Sequence, residues 1–307
     1  MENKLHISVS PHIHGKRTTM GIMLDVIIAL LPATIAGVVI FGLRSLLVVG
    51  VCLATSVLSE LLFNIITKKQ QTISDLSCVV TGLILALNLP ANVPVWQAII
   101  GSVFAIVVVK CLFGGLGKNV VNPALTARVF MLVAFSSLAQ PAFPVDATAG
   151  ATPLVSIAEG NVPELMVLFL GKTGGAIGET CSLALLIGGI YLLVRKVITW
   201  HIPVAFIGTV FVFSFFVQDF SVVTALASVL SGGLLLGAIF MATDYVTSPE
   251  TALGKIVYGI GAGVITVLIR FWGIYPEGVS FAILLMNILN PYINSLTARK
   301  LFGGEKK

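Results

Sequence analysis

The sequence predicts an all-α polytopic membrane protein of about ten transmembrane helices, and three observations predict it. Hydrophobic residues make up 57% of the 307 and charged residues only 10%, whereas soluble domains carry about a quarter charged. The mean hydropathy is +1.05, so lipid is the solvent for most of the chain. The apolar runs are continuous and too long for barrel strands. Backbone in lipid must pair within its own segment, so the spans are helices. At roughly 20 residues per span, the length accommodates about ten.

Residues 1–21 are polar, with His12, His14, Lys16 and Arg17, and read as a cytoplasmic segment. They lack the apolar core and small-residue cleavage site of a signal peptide. The two histidines are too few for a metal site and read as solvated. Five spans follow, near 22–42, 45–67, 73–90, 95–114 and 121–140, and make a first membrane unit over 22–140. The stretch from Thr72 to Pro90 is weakly apolar and contains Asp75, so other helices must shelter it. A polar loop over 141–176 separates this unit from a second, 177–295, with spans near 177–195, 202–218, 220–242, 255–273 and 278–295. Gly232, Gly233, Gly259 and Gly261 suit close helix packing. A cytoplasmic tail, 296–307, ends the chain.

Loop charges predict orientation. Thirteen of the 18 Lys and Arg fall on alternate loops that include both termini: Lys4, Lys16, Arg17, Lys68, Lys69, Lys118, Arg195, Lys196, Lys255, Arg299, Lys300, Lys306 and Lys307. The opposite loops hold Arg44, Lys172 and Arg270, while Lys110 and Arg128 lie in spans. Cytoplasmic loops are the basic ones, so both termini are expected inside a bacterial inner membrane and the 141–176 loop outside. The net charge of +5 is therefore a topology signal and not a nucleic-acid footprint.

A short echo divides the chain. Asn122-Pro123-Ala-Leu-Thr-Ala-Arg128-Val-Phe130 returns, with three extra residues after its Asn-Pro, as Asn290-Pro291-Tyr-Ile-Asn-Ser-Leu-Thr-Ala-Arg299-Lys-Leu-Phe302. Five spans on either side of the loop would give two inverted five-helix repeats, a transporter signature with sites near the midplane. Chance similarity in a biased composition is the alternative.

Three groups of residues could carry chemistry. The first is Asp146-Ala-Thr-Ala-Gly-Ala-Thr152. Gly150 and Ala151 leave the chain uncluttered beside the Thr152 hydroxyl, and Asp146 could contribute to recognition; an ordinary loop is the other reading. The second is Phe113-Gly-Gly-Leu-Gly-Lys-Asn119-Val-Val-Asn122-Pro-Ala. It lacks Walker spacing. Its glycines could open a break between spans, and Asn119 and Asn122 offer amides to a ring edge or cap a helix that begins with Pro. The third comprises ionisable groups in or beside spans: Asp25, Glu60, Asp75, Lys110, Arg128, Glu179, Asp244 and Arg270. Such charges face protein or water. Arg128 lies deepest and suits an anion or ring carbonyl. Asp75 and Asp244 are candidates for an ion path, with internal salt bridges and helix caps as the plainer role. The cysteines Cys52, Cys78, Cys111 and Cys181 form no Cys-x-x-Cys pair and read as small buried residues. One of them joining a shared cluster stays open.

The first motif resembles Asp-x-x-(Ser/Thr)-Gly-Ala-(Thr/Ser), the signal of flavin transferases that link FMN through its phosphate to a threonine hydroxyl. Ala149 stands where that pattern has Ser or Thr. With the Gly-Gly-x-Gly-x-Asn-x-x-Asn-Pro-Ala segment, nearly the whole chain resembles the D subunit of Rnf electron-transport complexes. It is also similar to the B subunit of sodium-translocating NADH:quinone reductases; the short N-terminal segment favours the former.

The resemblance implies covalent FMN on Thr152, with Asp146, Gly150 and Ala151 as the attachment motif. It further implies a riboflavin, for which Asn119, Asn122 and Arg128 are candidate contacts. The partners implied are other membrane and peripheral subunits, including a second FMN subunit and iron–sulfur subunits, and a flavin transferase for maturation. The expected function is electron transfer between ferredoxin and NAD coupled to Na+ or H+ movement. The chain is expected not to be a complete enzyme alone, having neither an NAD fold nor a cysteine cluster. A passive carrier for a small solute, or a structural anchor for redox partners, remains the competing reading.

Overall fold

A computed structural model describes residues 18–135, 138, 141–144, 152–218, 220–273 and 277–298. Among these the chain is all-α, and its one β feature is an isolated bridge between Ala142 and Gly175. The first two helices follow the apolar runs closely. Helix α1 (Thr19–Phe41) starts where the Thr18 hydroxyl accepts from Gly21 N, and it ends at Gly42, whose φ of 75° an L side chain resists. Helix α2 (Leu43–Ile66) leaves directly from that glycine.

The expectation of about ten spans, in two inverted sets of five, is not met. Among the described residues four helices are long and apolar enough to cross a membrane: α1, α2, α12 (Ala252–Trp272) and α13 (Val279–Thr297). A fifth results if α10 (Val222–Leu230) and the segment Leu234–Met241 count as one span bent by 63°. The other apolar stretches break early, and the reasons are local. Helix α3 (Ser77–Leu87) has 11 residues and stops before Pro90. Helix α4 (Val95–Val103) starts after Pro94, passes into π-helix over Phe104–Cys111, and is stopped by Gly114, Gly115 and Gly117, all at positive φ. Helix α5 (Pro123–Ala134) is 12 residues, α8 (Ser182–Val194) 13 and α9 (His201–Val217) 17. Hydropathy averages across such breaks, because the turn residues are themselves small and apolar. The two halves of the sequence echo also differ. Pro123 is the first residue of α5, whereas Pro291 lies inside α13, and Arg299 falls outside the described residues.

Two short helices, α6 (Pro153–Ala158) and α7 (Leu165–Leu170), lie in the 141–176 region. Between α10 and α12, α11 (Leu234–Leu236) passes into a second π-helix, Gly237–Met241. π-Segments are rare and concentrate at functional sites. The core runs the length of the chain, from Ala29 and Leu30 in α1 to Ile293 in α13. α9 packs along α12, α2 along α3 and α1 along α8.

Glycine allows the α1–α8 approach. A Cβ on Gly188 would stand 2.1 Å from the carbonyl oxygen of Ala29. Backbone there cannot yield without separating the helices. Gly188→Leu is therefore expected to cost about 1–3 kcal/mol or more through overpacking, seen as a lower thermal midpoint in detergent. Gly208, with open space around it, is the control: Gly208→Ala should leave the midpoint unchanged or raise it.

Candidate functional site

Thr152 is the N-cap of α6. Its extended backbone (φ −64°, ψ 154°) precedes Pro153 at the first helical position, and its Oγ1 accepts from Val155 N at 3.4 Å. The residue is half-buried and stands on the wall of a cavity of about 240 Å3. Small-molecule pockets span about 300–1,000 Å3, so this one lies just below that range. Arg128, Glu179 and Glu277 line it too, with Thr173, Thr180 and Ser231. Asp146, Gly150 and Ala151 lie outside the described residues.

Arg128 comes from α5 and is 2% exposed. Its Nη2 donates to both carboxylate oxygens of Glu277, at 2.9 and 3.1 Å, across 149 positions of sequence. Its Nη1 is buried without an acceptor among the described residues. Glu179 sits in the loop between α7 and α8, and its Oε1 accepts from Ala176 N at 3.0 Å. Burial pushes this carboxyl up to about 7, and the nearby Glu277 charge pushes the same way. The Ala176 N–H and the charges of Arg128 and Arg270 oppose the rise. Gly175 makes room for it, since a Cβ there would stand 2.5 Å from Glu179 Oε1.

Arg270, in α12, builds the adjoining wall. Its Nη1 donates to Ser228 O at 2.7 Å, and its Nη2 to Ser231 O and Gly232 O at 2.9 and 3.2 Å. These carbonyls lie at the break between α10 and α11, where Gly232 and Gly233 both have φ +67°. One guanidinium thus holds the bend that shapes the cavity.

The sequence grouped Arg128 with Asn119 and Asn122. The structure does not: it places Arg128 with Thr152 and the asparagines at a second cavity of about 90 Å3, with Lys110, Ser77 and Asp244. Both amides there are engaged. Asn122 Oδ1 accepts from Leu125 N as the cap of α5, and its Nδ2 donates to Met241 O at 3.4 Å. Asn119 Nδ2 donates to Val121 O at 3.1 Å. Asp244 lies in the loop after the second π-helix, where burial raises its carboxyl and the Thr247 hydroxyl, donating to Oδ2 at 3.1 Å, works against that rise.

Beside this second cavity a buried polar network links α2, α3 and the first π-helix. Lys110 Nζ lies 2.6 Å from Glu60 Oε2 and donates to Ser77 Oγ at 2.6 Å. Thr72 Oγ1 donates to Glu60 Oε1, and Ser77 Oγ to Asp75 Oδ1. Asp75, a candidate for an ion path, is thus held in a local turn. Asp25 pairs with Arg195 at 3.2 Å and accepts from Tyr191 Oη at 2.9 Å. Among the described residues no three His, Cys, Asp or Glu side chains gather as metal ligands. The four cysteines carry free thiols.

Glu277 is the site residue that sequence reasoning did not single out. The available signal was a lone carboxylate, Glu277, between two apolar runs and seven residues after Arg270; it stands two positions before the start of α13.

Known proteins resemble this chain from end to end. The model of the NQR2, RnfD, RnfE family matches residues 6–303. The D subunit of the Na+-translocating ferredoxin:NAD+ oxidoreductase complex of Acetobacterium woodii is 46% identical, over 99% of this chain and 97% of that protein. Its proton-translocating counterpart in Clostridium ljungdahlii is 38% identical, over 98% and 97%. The D subunit of the ion-translocating oxidoreductase complex of Stutzerimonas stutzeri is 36% identical, over 92% and 91%. With a family model covering nearly all of its length and relatives this similar throughout, the chain belongs to the NQR2, RnfD, RnfE family.

Proposed function

We propose that this chain carries electrons in a redox-driven ion pump through FMN joined by its phosphate to Thr152 Oγ1. Membership of the family makes it a multi-pass membrane subunit of an Rnf-type ion-translocating redox complex in the bacterial inner membrane. The finer assignment, a ferredoxin:NAD-type complex, is supported by the names of the Acetobacterium and Clostridium relatives. One moves Na+ and the other protons, so the name alone does not transfer an ion.

The observation that carries the flavin assignment is the meeting of Thr152 and Arg128 on one cavity wall. The residues present fit such a group. Among the described residues Thr152 Oγ1 acts only as an acceptor, from Val155 N, so esterification removes no donor that they use. Arg128 has a guanidinium arm without a partner among the described residues, a donor of the kind that suits a phosphate or ring carbonyl oxygen. Bound here, FMN supplies one-electron redox chemistry. The chain's own part is to hold it: Thr152 tethers, Arg128 compensates charge, and the wall formed by Pro90, Leu138 and Leu168 excludes water. Attachment by an exported flavin transferase requires Thr152 on the extracytoplasmic face.

A riboflavin beside Asn119 and Asn122 is a second assignment that the geometry supports less. The cavity there is about 90 Å3, well below the range for small-molecule pockets. Seating a flavin would also require both amides to give up their backbone bonds.

The test is the intact mass of the chain, produced in cells that contain the transferase. Wild type is expected to carry the mass of one FMN and to fluoresce on a denaturing gel under ultraviolet light; Thr152→Ala should lose both. Equal fluorescence in the variant would move the attachment elsewhere. An unmodified wild-type chain would return the reading to a passive carrier or anchor.

A further inference from the structure

The charged groups around the Thr152 cavity are unequally provided for. Glu277 takes Nη2 of Arg128 on both its oxygens. Arg270 spends its guanidinium on the carbonyls of Ser228, Ser231 and Gly232, and its Nε on Glu277 O at 3.4 Å. Glu179 is buried, accepts one N–H from Ala176, and has no cation within ion-pair distance among the described residues. Among the described residues Arg128 Nη1 and Thr180 Oγ1 are buried without partners. The cavity therefore holds a carboxyl whose charged form is incompletely compensated, beside donors not yet used.

We infer that Glu179 exchanges a proton with solvent in step with charge in the Thr152 cavity, binding it when an electron arrives and releasing it when the electron leaves. The inference rests on the flavin assignment above. One electron enters the cavity from a one-electron donor of the complex. One proton from water at the cavity mouth bonds to a carboxylate oxygen of Glu179, and –COO− becomes –COOH. Both leave on reoxidation, and no other bond changes. Added negative charge near a carboxylate favours its protonated form, and burial already leans that way. The ionic groups facing Glu179 are Arg128 from α5, Arg270 from α12 and Glu277 from the segment before α13. The hydroxyls of Thr152, Thr173, Thr180 and Ser231 also line the cavity. Arginine does not give up its proton in proteins, so among this chain's own ionic side chains at the cavity only the two carboxylates, Glu179 and Glu277, offer an oxygen to a proton that the flavin ring does not take. Glu277 spends both carboxylate oxygens on Arg128, and a proton there would displace that bonding. That leaves Glu179.

The experiment is a redox titration of the flavin on Thr152 in the assembled complex, at several pH values between about 6 and 8, around the pKa range of a raised carboxyl. Infrared difference spectra are recorded alongside. In the wild type the potential is expected to fall with pH, toward the roughly 59 mV that a tenfold change in proton activity gives a one-electron couple. A protonated-carboxyl band should appear on reduction. Glu179→Gln should flatten the slope and remove the band. Glu179→Asp, which keeps a titratable group, should retain a slope with a shifted midpoint and show that the site still folds. Equal slopes in wild type and Glu179→Gln, with flavin present on Thr152, would overturn the inference and leave the flavin assignment standing. A wild-type chain without flavin on Thr152 would instead overturn that assignment, and the coupling with it.

Discussion

Lys110→Met is expected to lower the unfolding free energy by about 3–5 kcal/mol, the cost of leaving one partner of a buried ion pair uncompensated. The Lys110 and Glu60 side chains are 3% and 2% exposed, so solvent screening does little for either. Removing the ammonium leaves Glu60 with Thr72 as its remaining hydrogen-bond donor, and leaves Ser77 Oγ without the donor that Lys110 supplied. The double variant Lys110→Met/Glu60→Met should recover most of the loss, because two apolar groups of similar volume replace the pair without a stranded charge. Thermal and denaturant unfolding in detergent of the wild type, both single variants and the double variant gives the comparison. A double variant no more stable than Lys110→Met alone would show that the cost lies in lost packing and not in charge.

The second large effect is at Arg270. Arg270→Met is expected to cost about 3 kcal/mol or more, because three carbonyls lose a shared donor and each unsatisfied buried acceptor costs about 1–3 kcal/mol. Ser228 O, Ser231 O and Gly232 O converge on one guanidinium because the chain turns through 63° between α10 and the segment Leu234–Met241. In an unbroken helix the ladder would satisfy these carbonyls. Lysine cannot substitute, since an ammonium lacks the planar fork that reaches several acceptors at once, so Arg270→Lys should recover little. Hydrogen exchange across residues 231–237 is the second readout, with faster exchange expected in both variants. A variant as stable as wild type, with unchanged protection, would mean that the bend is held by packing alone.

Much of the local structure was legible in the residues. Asn122, read as a possible cap, places its side-chain oxygen before α5 and accepts from the backbone N–H three positions on; Thr18 and Thr152 do the same before α1 and α6, where no cap was read from the sequence. Pro123 and Pro153 follow Asn122 and Thr152 and begin their helices. The triple-glycine segment read as a break is one, with Gly114, Gly115 and Gly117 at positive φ. The spans were overcounted because hydropathy cannot distinguish an apolar helix from an apolar break. The segment Leu230-Ser-Gly-Gly-Leu-Leu scores as membrane and contains a 63° bend.

By itself the sequence determined that this is an all-helical membrane chain, where several of its helices start, and which hydroxyl ends the small-residue run of its polar loop, because propensity, capping and turn chemistry act over a few residues. Only the tertiary structure decided that Arg128 shares a cavity with Thr152 and not with Asn119 and Asn122, and that Glu277 and Glu179 complete it. It also decided that Lys110 answers Glu60 from 50 positions away. A buried charge must find its counterpart wherever packing brings one within about 3 Å. That partner lies on another helix, at a distance along the chain that no local pattern encodes.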